Sequence, residues 1–441
     1  MTHEAAGDVA SATDGHDMRE TDMQYLVTDA AAAARRGSGD QTGVRWTRFD
    51  DQTIVWGADL RSAAREASRG ADGRSEDVAP SEAEQLALVV QVGRAFQDAN
   101  PDVPVVLDKG RYLVIDVGRT APATDDTCWT VRPLVPDTVV LARRPATRRS
   151  PTPWVIPLVN AASEASFTTA LEHLAGLPTR HSTSQHFDDA AEWASQRLRD
   201  VGYDVRRDPV TLPDGTRSSN VLMDQPGVGP EPRDLVVVTA HLDSVNTLGG
   251  PSADAPGADD NASGAAALLE IASAFADHSA VHDLRLILFG GEEQGLHGSR
   301  QHVAGMSAVD RARTTAVINM DMVGTLNTTE PTVLLEGATV SQALITDLAN
   351  AAATYTALAV QTSLTPFASD HVPFIDVGVP AVLTIEGADR SNANVHTVSD
   401  TVEHIHAPLA LDIIRMNVAA AATYLGHDDS GATHATIRRA V

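Results

Sequence analysis

Between residues 235 and 385, short unbroken apolar runs alternate with longer stretches of helical spacing. The runs at residues 235–240, 284–289, 315–319 and 381–385 are too short and too continuous for amphipathic helices, and read as strands buried on both faces. The small-residue stretch 262–276, the segment 298–304 and the closing stretch 407–425 read as helices. Ahead of them, Phe167, Ala170, Leu171 and Leu174 share one helical face. Phe187, Ala190, Ala191, Ala194 and Leu198 share another, and Gly202 follows as a stop signal. Strand and helix in alternation predict an α/β fold with a mostly parallel central sheet covered by helices on both faces.

The pattern before residue 143 differs. Ser81 to Glu84 forms a capping box ahead of Leu86, Val89, Val90 and Gly93, which predicts a helix stopped by Asn100 and Pro101. Residues 105–107, 112–116 and 138–141 read as strands. The expected organisation is a disordered tail at 1–20, a small α+β N-terminal unit at 21–142, a basic Pro-rich linker at 143–154, a catalytic domain at 155–426 and a flexible tail at 427–441. No catalytic constellation falls in the N-terminal unit, so it is expected to be dispensable for the chemistry.

Composition narrows the function. The 441 residues carry 59 acidic and 33 basic side chains, a net charge of -26, which argues against nucleic acid or an anionic membrane surface as partner. The lone Cys128 excludes an internal disulfide and thiolate-ligated metal clusters. No run of 18 apolar residues exists, and the first twenty residues lack the pattern of a signal peptide. Taken as written, the chain reads as cytoplasmic; a processed, secreted form would look the same.

The chemistry shows in where polar residues sit. The run 235–240 leads into His241 and Asp243. A Gly-rich loop presents Asp259 and Asp260 just before the helix at 262. The run 284–289 leads into Gly290, Gly291, Glu292 and Glu293, and the run 315–319 leads into Asp321, between two methionines. After 381–385, a loop delivers His396 and Asp400. Strand carboxyl ends in an open α/β sheet converge on one crevice. So many carboxylates there would repel unless divalent cations intervened, and imidazole with carboxylate oxygen suits zinc. One carboxylate can bridge two ions and leave another free as general base. Asp259 and Asp260 also read as a helix cap beside a turn residue. Asp400 reads equally as an orienting group or as the cap of the last helix.

These motifs, namely AHLDS at 240–244, PGADDNASG at 256–264, GGEEQGLHGS at 290–299, INMDMVG at 318–324, SDHVPF at 369–374 and VHTVSDT at 395–401, resemble the bacterial leucine aminopeptidase type of co-catalytic zinc exopeptidase. The resemblance covers residues 163–425 and implies two zinc ions per chain. It implies His241 and Asp321 on the first ion, Glu293 and His396 on the second, and Asp259 as the bridge, followed by a cis peptide to Asp260. It further implies Glu292 as general base, Asp243 as the orienter of His241 and His371 as a group steadying the carbonyl oxygen. The expected substrates are peptides with a free α-amine and an apolar first residue.

Three rivals share this pattern. A dinuclear carboxypeptidase or deacylase would carry an inserted dimerisation domain, for which the 75 residues from Asp321 to His396 leave too little room. It would also need a positive clamp, and Arg390 is the one cation near His396 to test. A mono-zinc glutaminyl cyclase or an inactive scaffold would have shed ligands that are all present here. Oligomeric state is not legible.

Overall fold

The computed structural model describes residues 24–29, 45–57, 86–117, 128–144 and 147–428. The expected tail at 1–20, the capping box at 81–84 and nearly all of the expected tail from 427 lie outside them.

Among the described residues, sixteen strands form two sheets. In the N-terminal part these are β1 (Gln24–Asp29), β2 (Arg45–Phe49), β3 (Gln52–Gly57), β4 (Leu86–Gln91), β5 (Val105–Lys109), β6 (Tyr112–Asp116), β7 (Trp129–Pro133) and β8 (Thr138–Arg144). They continue as β9 (Val205–Thr211), β10 (Arg217–Gln225), β11 (Leu235–His241), β12 (Asp283–Phe289), β13 (Thr314–Met320), β14 (Thr332–Glu336), β15 (Ala359–Ser363) and β16 (Ala381–Glu386). Strands β5-β6-β4-β7 make a small antiparallel sheet; the others make one sheet in the order β1-β3-β2-β8-β15-β14-β16-β13-β11-β12-β10-β9.

The centre of the large sheet, β12-β11-β13-β16, is parallel throughout. Its strands are apolar on both faces because helices cover both. The helices α1 (Glu164–Ala175), α2 (Gln185–Asp200), α3 (Gly264–Phe275), α4 (Gln342–Tyr355) and α5 (Ala407–Leu425) contribute Phe167, Phe187, Leu268, Leu348 and Ile414 to the largest apolar cluster. The opposite face is closed by Leu222, Ile287, Val303 and Phe374. Truncating such a side chain to Ala costs about 2–5 kcal/mol. The alternation read from the sequence therefore reappears as predicted.

The predicted helix from Leu86 is a correction: residues 86–91 are β4, buried at every position. It sits inside the small sheet between β6 and β7, where an unbroken apolar run satisfies both faces. Only Ala95–Ala99 is helical, and it ends at Asn100 as predicted. The segment read as a linker also begins inside a strand. Arg143 and Arg144 close β8, which pairs antiparallel with β15, so the N-terminal part continues the large sheet. His427, expected in a free tail, stacks on Trp154 at 5.2 Å.

Candidate metal centre

The carboxyl ends of β11, β12 and β13 lie side by side because the three strands are parallel and in register. His241 is the last residue of β11, Glu292 and Glu293 follow β12 after a Gly-Gly turn, and Asp321 follows β13. The loop from β16 brings His396, which adopts φ +58°. The irregular turn before α3 supplies Asp260, whose backbone (φ -110°, ψ 90°) departs from the helix and turns its side chain inward. Gly257 and Gly264 make that turn possible. A Cβ on Gly257 would lie 2.4 Å from the Asp260 carbonyl, and one on Gly264 would lie 2.7 Å from the Met320 carbonyl.

Two donor clusters share one carboxylate. His241 Nε2 lies 3.2 Å from Asp260 Oδ1 and 3.2 Å from Asp321 Oδ1. His396 Nε2 lies 3.1 Å from Asp260 Oδ2 and 3.0 Å from Glu293 Oε2. Each imidazole thus faces two carboxylate oxygens, and a single N–H cannot serve both. Tetrahedral zinc with ligands at about 2.0–2.2 Å would separate neighbouring donors by about 3.3 Å. The donor set therefore fits a pair of ions better than a hydrogen-bonded network. The other oxygen of Glu293, Oε1, is buried without a hydrogen-bond partner.

Asp259, expected as the bridge, is not the carboxylate that faces both histidines. Asp260 lies between the two histidines, and the cis peptide joins Asp260 to Asn261. The Asp259 carboxylate points away: it accepts the Gly324 N–H at 2.9 Å and the Asn392 amide at 2.7 Å. The adjacent carboxylates are identical in composition, and only the irregular backbone decides which one faces the histidines.

The supporting shell also differs from expectation. His241 Nδ1 is 3.1 Å from the Asp243 main-chain carbonyl and 3.7 Å from its carboxylate. That carboxylate accepts the N–H groups of Glu292 at 3.3 Å and Glu293 at 3.2 Å, so Asp243 fixes the glutamate turn as well as the ring. Asp400 does not cap the last helix. Its two oxygens accept the N–H groups of Asp259 and Asp260 at 2.9 and 3.0 Å, and His406 caps α5 instead. Asp321 is held by the Ser369 hydroxyl at 2.7 Å, and Ser369 in turn takes the Asn319 amide at 2.8 Å. His371 is fully buried, its Nε2 3.6 Å from Glu336 Oε1, rather than open to the crevice.

Sequence reading missed Arg180. Its guanidinium is buried and donates to the carbonyls of Leu174, Leu242, Pro256 and Gly257, tying the turn after His241 to the turn before Asp260. The apolar face of α1 and the TRHSTS lead-in give no sign of it; only a fold places those four carbonyls together.

Crowding sets the electrostatics. Burial, with the nearby charges of Asp321, Asp370 and Glu293, pushes Glu292 well above the usual carboxylate range, against the pull of His241. Burial pushes Glu293 up to about 7, with Asp260 adding to it. The Asp260 carboxyl is held below its ordinary value: burial opposes this, and the hydrogen bonds of His241 and His396 outweigh it. Both imidazoles are driven upward by their carboxylate neighbours despite burial. Such a charge distribution is one that bound cations would relieve.

The family profile of peptidase family M28 matches residues 220–421. Leucine aminopeptidase 1 of Metarhizium robertsii is 28% identical over 256 residues, 53% of this chain and 63% of its own length. Aminopeptidase YwaD of Bacillus subtilis is 32% identical over 176 residues, 39% of this chain and 37% of its own. The chain therefore spans less than two thirds of the length of these relatives. Among solved structures, BSAP, a zinc aminopeptidase from Bacillus subtilis, superposes with a TM-score of 0.53 at 17% identity, covering 59% of this chain and 95% of that one. The LapA aminopeptidase of Legionella pneumophila gives 0.54 at 15% identity, covering 92% and 99%. At these identities the likeness speaks for the fold alone. The segment that resembles peptidase family M28 carries every histidine and carboxylate of the two clusters, so the family likeness falls on the candidate metal centre itself.

Proposed function

We propose that this chain is a zinc aminopeptidase that uses two ions and removes single residues, apolar ones by preference, from free peptide N-termini. The observation that carries this reading is the Asp260 carboxylate standing between His241 and His396, each with its own second carboxylate. His241, Asp260 and Asp321 would hold one ion, and Asp260, Glu293 and His396 the other. Bound zinc would supply Lewis-acid polarisation of the scissile carbonyl and a lowered pKa for the attacking water. Glu292, presented beside this pair by the Asp243-anchored turn, takes the proton from that water as the C–O bond forms. It then gives the proton to the leaving nitrogen as the C–N bond breaks. The relatives named aminopeptidase support the reaction class.

Substrate polarity follows from charge. A protonated α-amine is drawn to a crevice of carboxylates. A C-terminal carboxylate would need a free cation, and Arg390, the one candidate in the loop before His396, is paired with Asp108. That disfavours the carboxypeptidase reading. Leucyl-amide is therefore expected to be hydrolysed at least about 100-fold faster than N-acetyl-leucyl-amide, because blocking the amine removes its charge. Equal rates for the two compounds would defeat the assignment.

Metal removal has its own signature. Without cations, burial leaves Glu293 at about 7 and Asp400 at about 8. A carboxyl whose folded-state pKa is raised stabilises the fold below its ordinary pKa, and that stability is lost as pH rises through the folded value. The chelated protein should therefore melt at a lower temperature at pH 8 than at pH 5, and zinc should flatten the difference. Melting curves at the two pH values, with and without chelator, check this; a parallel fall in both forms would count against cation binding here. No helix among the described residues is long and apolar enough to cross a membrane.

A further inference from the structure

The turn between β5 and β6 belongs to the small N-terminal sheet, yet its side chains end inside the catalytic domain. Arg111 is 3% exposed and forks onto Glu336 at the end of β14, with Nε 2.9 Å from Oε2 and Nη2 3.3 Å from Oε1. The same Nη2 donates to the Phe367 carbonyl, and Nη1 lies 3.6 Å from Asp389. Tyr112 donates its hydroxyl to Glu336. Asp108, three residues before Arg111 and in β5, pairs with Arg390.

These contacts fall on two loops. Phe367 lies two residues before Ser369, whose hydroxyl holds the candidate ligand Asp321, and the Phe367 N–H is itself fixed by Glu336 at 3.0 Å. Asp389 and Arg390 lie in the loop that carries Asn392, the partner of Asp259, and then His396. We propose that the N-terminal unit is a working part of the active site, its turn Asp108–Tyr112 fastening the loops that carry Ser369 and His396, with Arg111 as the positioning residue.

The energetics favour a permanent arrangement. Glu336 and Arg111 are both withdrawn from water, so separating them leaves two buried charges uncompensated, which is strongly destabilising. Burial opposes ionisation of Glu336, but Arg111, His371 and Tyr112 together outweigh it and hold the carboxyl down at about 2. A unit that served only to escort folding would gain nothing from a buried bidentate pair reaching across 225 residues. A displacement of about 1 Å at a site of this kind costs about 100-fold in rate. The fork geometry matters as much as the charge, and lysine cannot reproduce it.

The inference rests on the aminopeptidase reading, and the full-length chain tests it. Arg111→Met should lower kcat on leucyl-amide by about 30–100-fold while KM moves less than about 3-fold and zinc content holds. Arg111→Lys should recover part of the loss. The double variant Arg111→Met/Glu336→Leu removes both buried charges; it should recover melting temperature but not kcat, which a merely structural role would recover together. Wild-type kcat in that variant would overturn the proposal. Should the Arg111 variants fail to fold, Asp108→Asn at the more exposed Asp108–Arg390 pair decides: an unchanged kcat and unchanged hydrogen exchange overturn it. The exchange arm needs no activity. Peptides covering 364–371 and 387–396 should exchange faster in Asp108→Asn. If the unaltered protein leaves leucyl-amide intact, the aminopeptidase reading falls, while this arm still tells whether the turn fastens the two loops.

Discussion

Asp260→Ala is expected to strip both metal positions, lowering bound zinc from about two ions per chain to below about 0.2 after desalting. The reason is geometric. Both Asp260 oxygens are committed, one beside His241 and one beside His396, so each cluster falls to two protein donors when the carboxylate goes. Two donors do not hold zinc against dilution, and three do. Asp259→Asn is the matched control. It keeps an oxygen to accept the Gly324 N–H and removes a charge that faces neither histidine. It should keep most of the zinc, and it should relieve the repulsion that drives Glu386 well above its ordinary range, which burial begins and Asp259 increases. Elemental analysis of the two variants after identical loading reads the difference. Zinc lost from Asp259→Asn and kept by Asp260→Ala would restore Asp259 as the bridge.

That pair of variants marks where sequence reading stops. The parallel strands β11, β12, β13 and β16 were legible because burial on both faces forces unbroken apolar runs, and the polar residues that end them stood out against that background. His241, Glu293, Asp321 and His396 were found that way, and they fall in the two clusters. Choosing between Asp259 and Asp260 needs the backbone of the turn, and its non-helical φ/ψ leaves no periodic trace in the residues. β4 was misread because LALVVQ satisfies helical spacing and full burial equally well, and only its place between β6 and β7 decides. β9 and β10 went unread because they are antiparallel at the sheet's edge and mix charges with apolar residues. Arg111 was invisible for a different reason. It is an ordinary turn residue until the chain is folded, and its partner Glu336 ends a strand too short to draw notice.

Glu292→Gln separates the chemistry from the scaffold. The substitution conserves shape but cannot accept a proton, so kcat should fall by about 10²–10⁴-fold, the scale of a lost general base. Zinc should stay, because Glu292 stands outside both donor clusters while its neighbour Glu293 belongs to one. The turn should stay as well, since it is held by main-chain N–H groups donating to Asp243, which the substitution does not touch. Stability should hold or rise in the metal-free protein. Burial and three nearby carboxylates make an ionised Glu292 costly there, and a neutral amide escapes that cost. Glu293→Gln one residue along should behave differently, losing zinc from the His396 side before losing rate for any other reason. Measured together, kcat, zinc per chain and melting temperature tell the two glutamates apart. A Glu292→Gln protein that keeps more than about a tenth of wild-type kcat with zinc bound would remove Glu292 from the proton path.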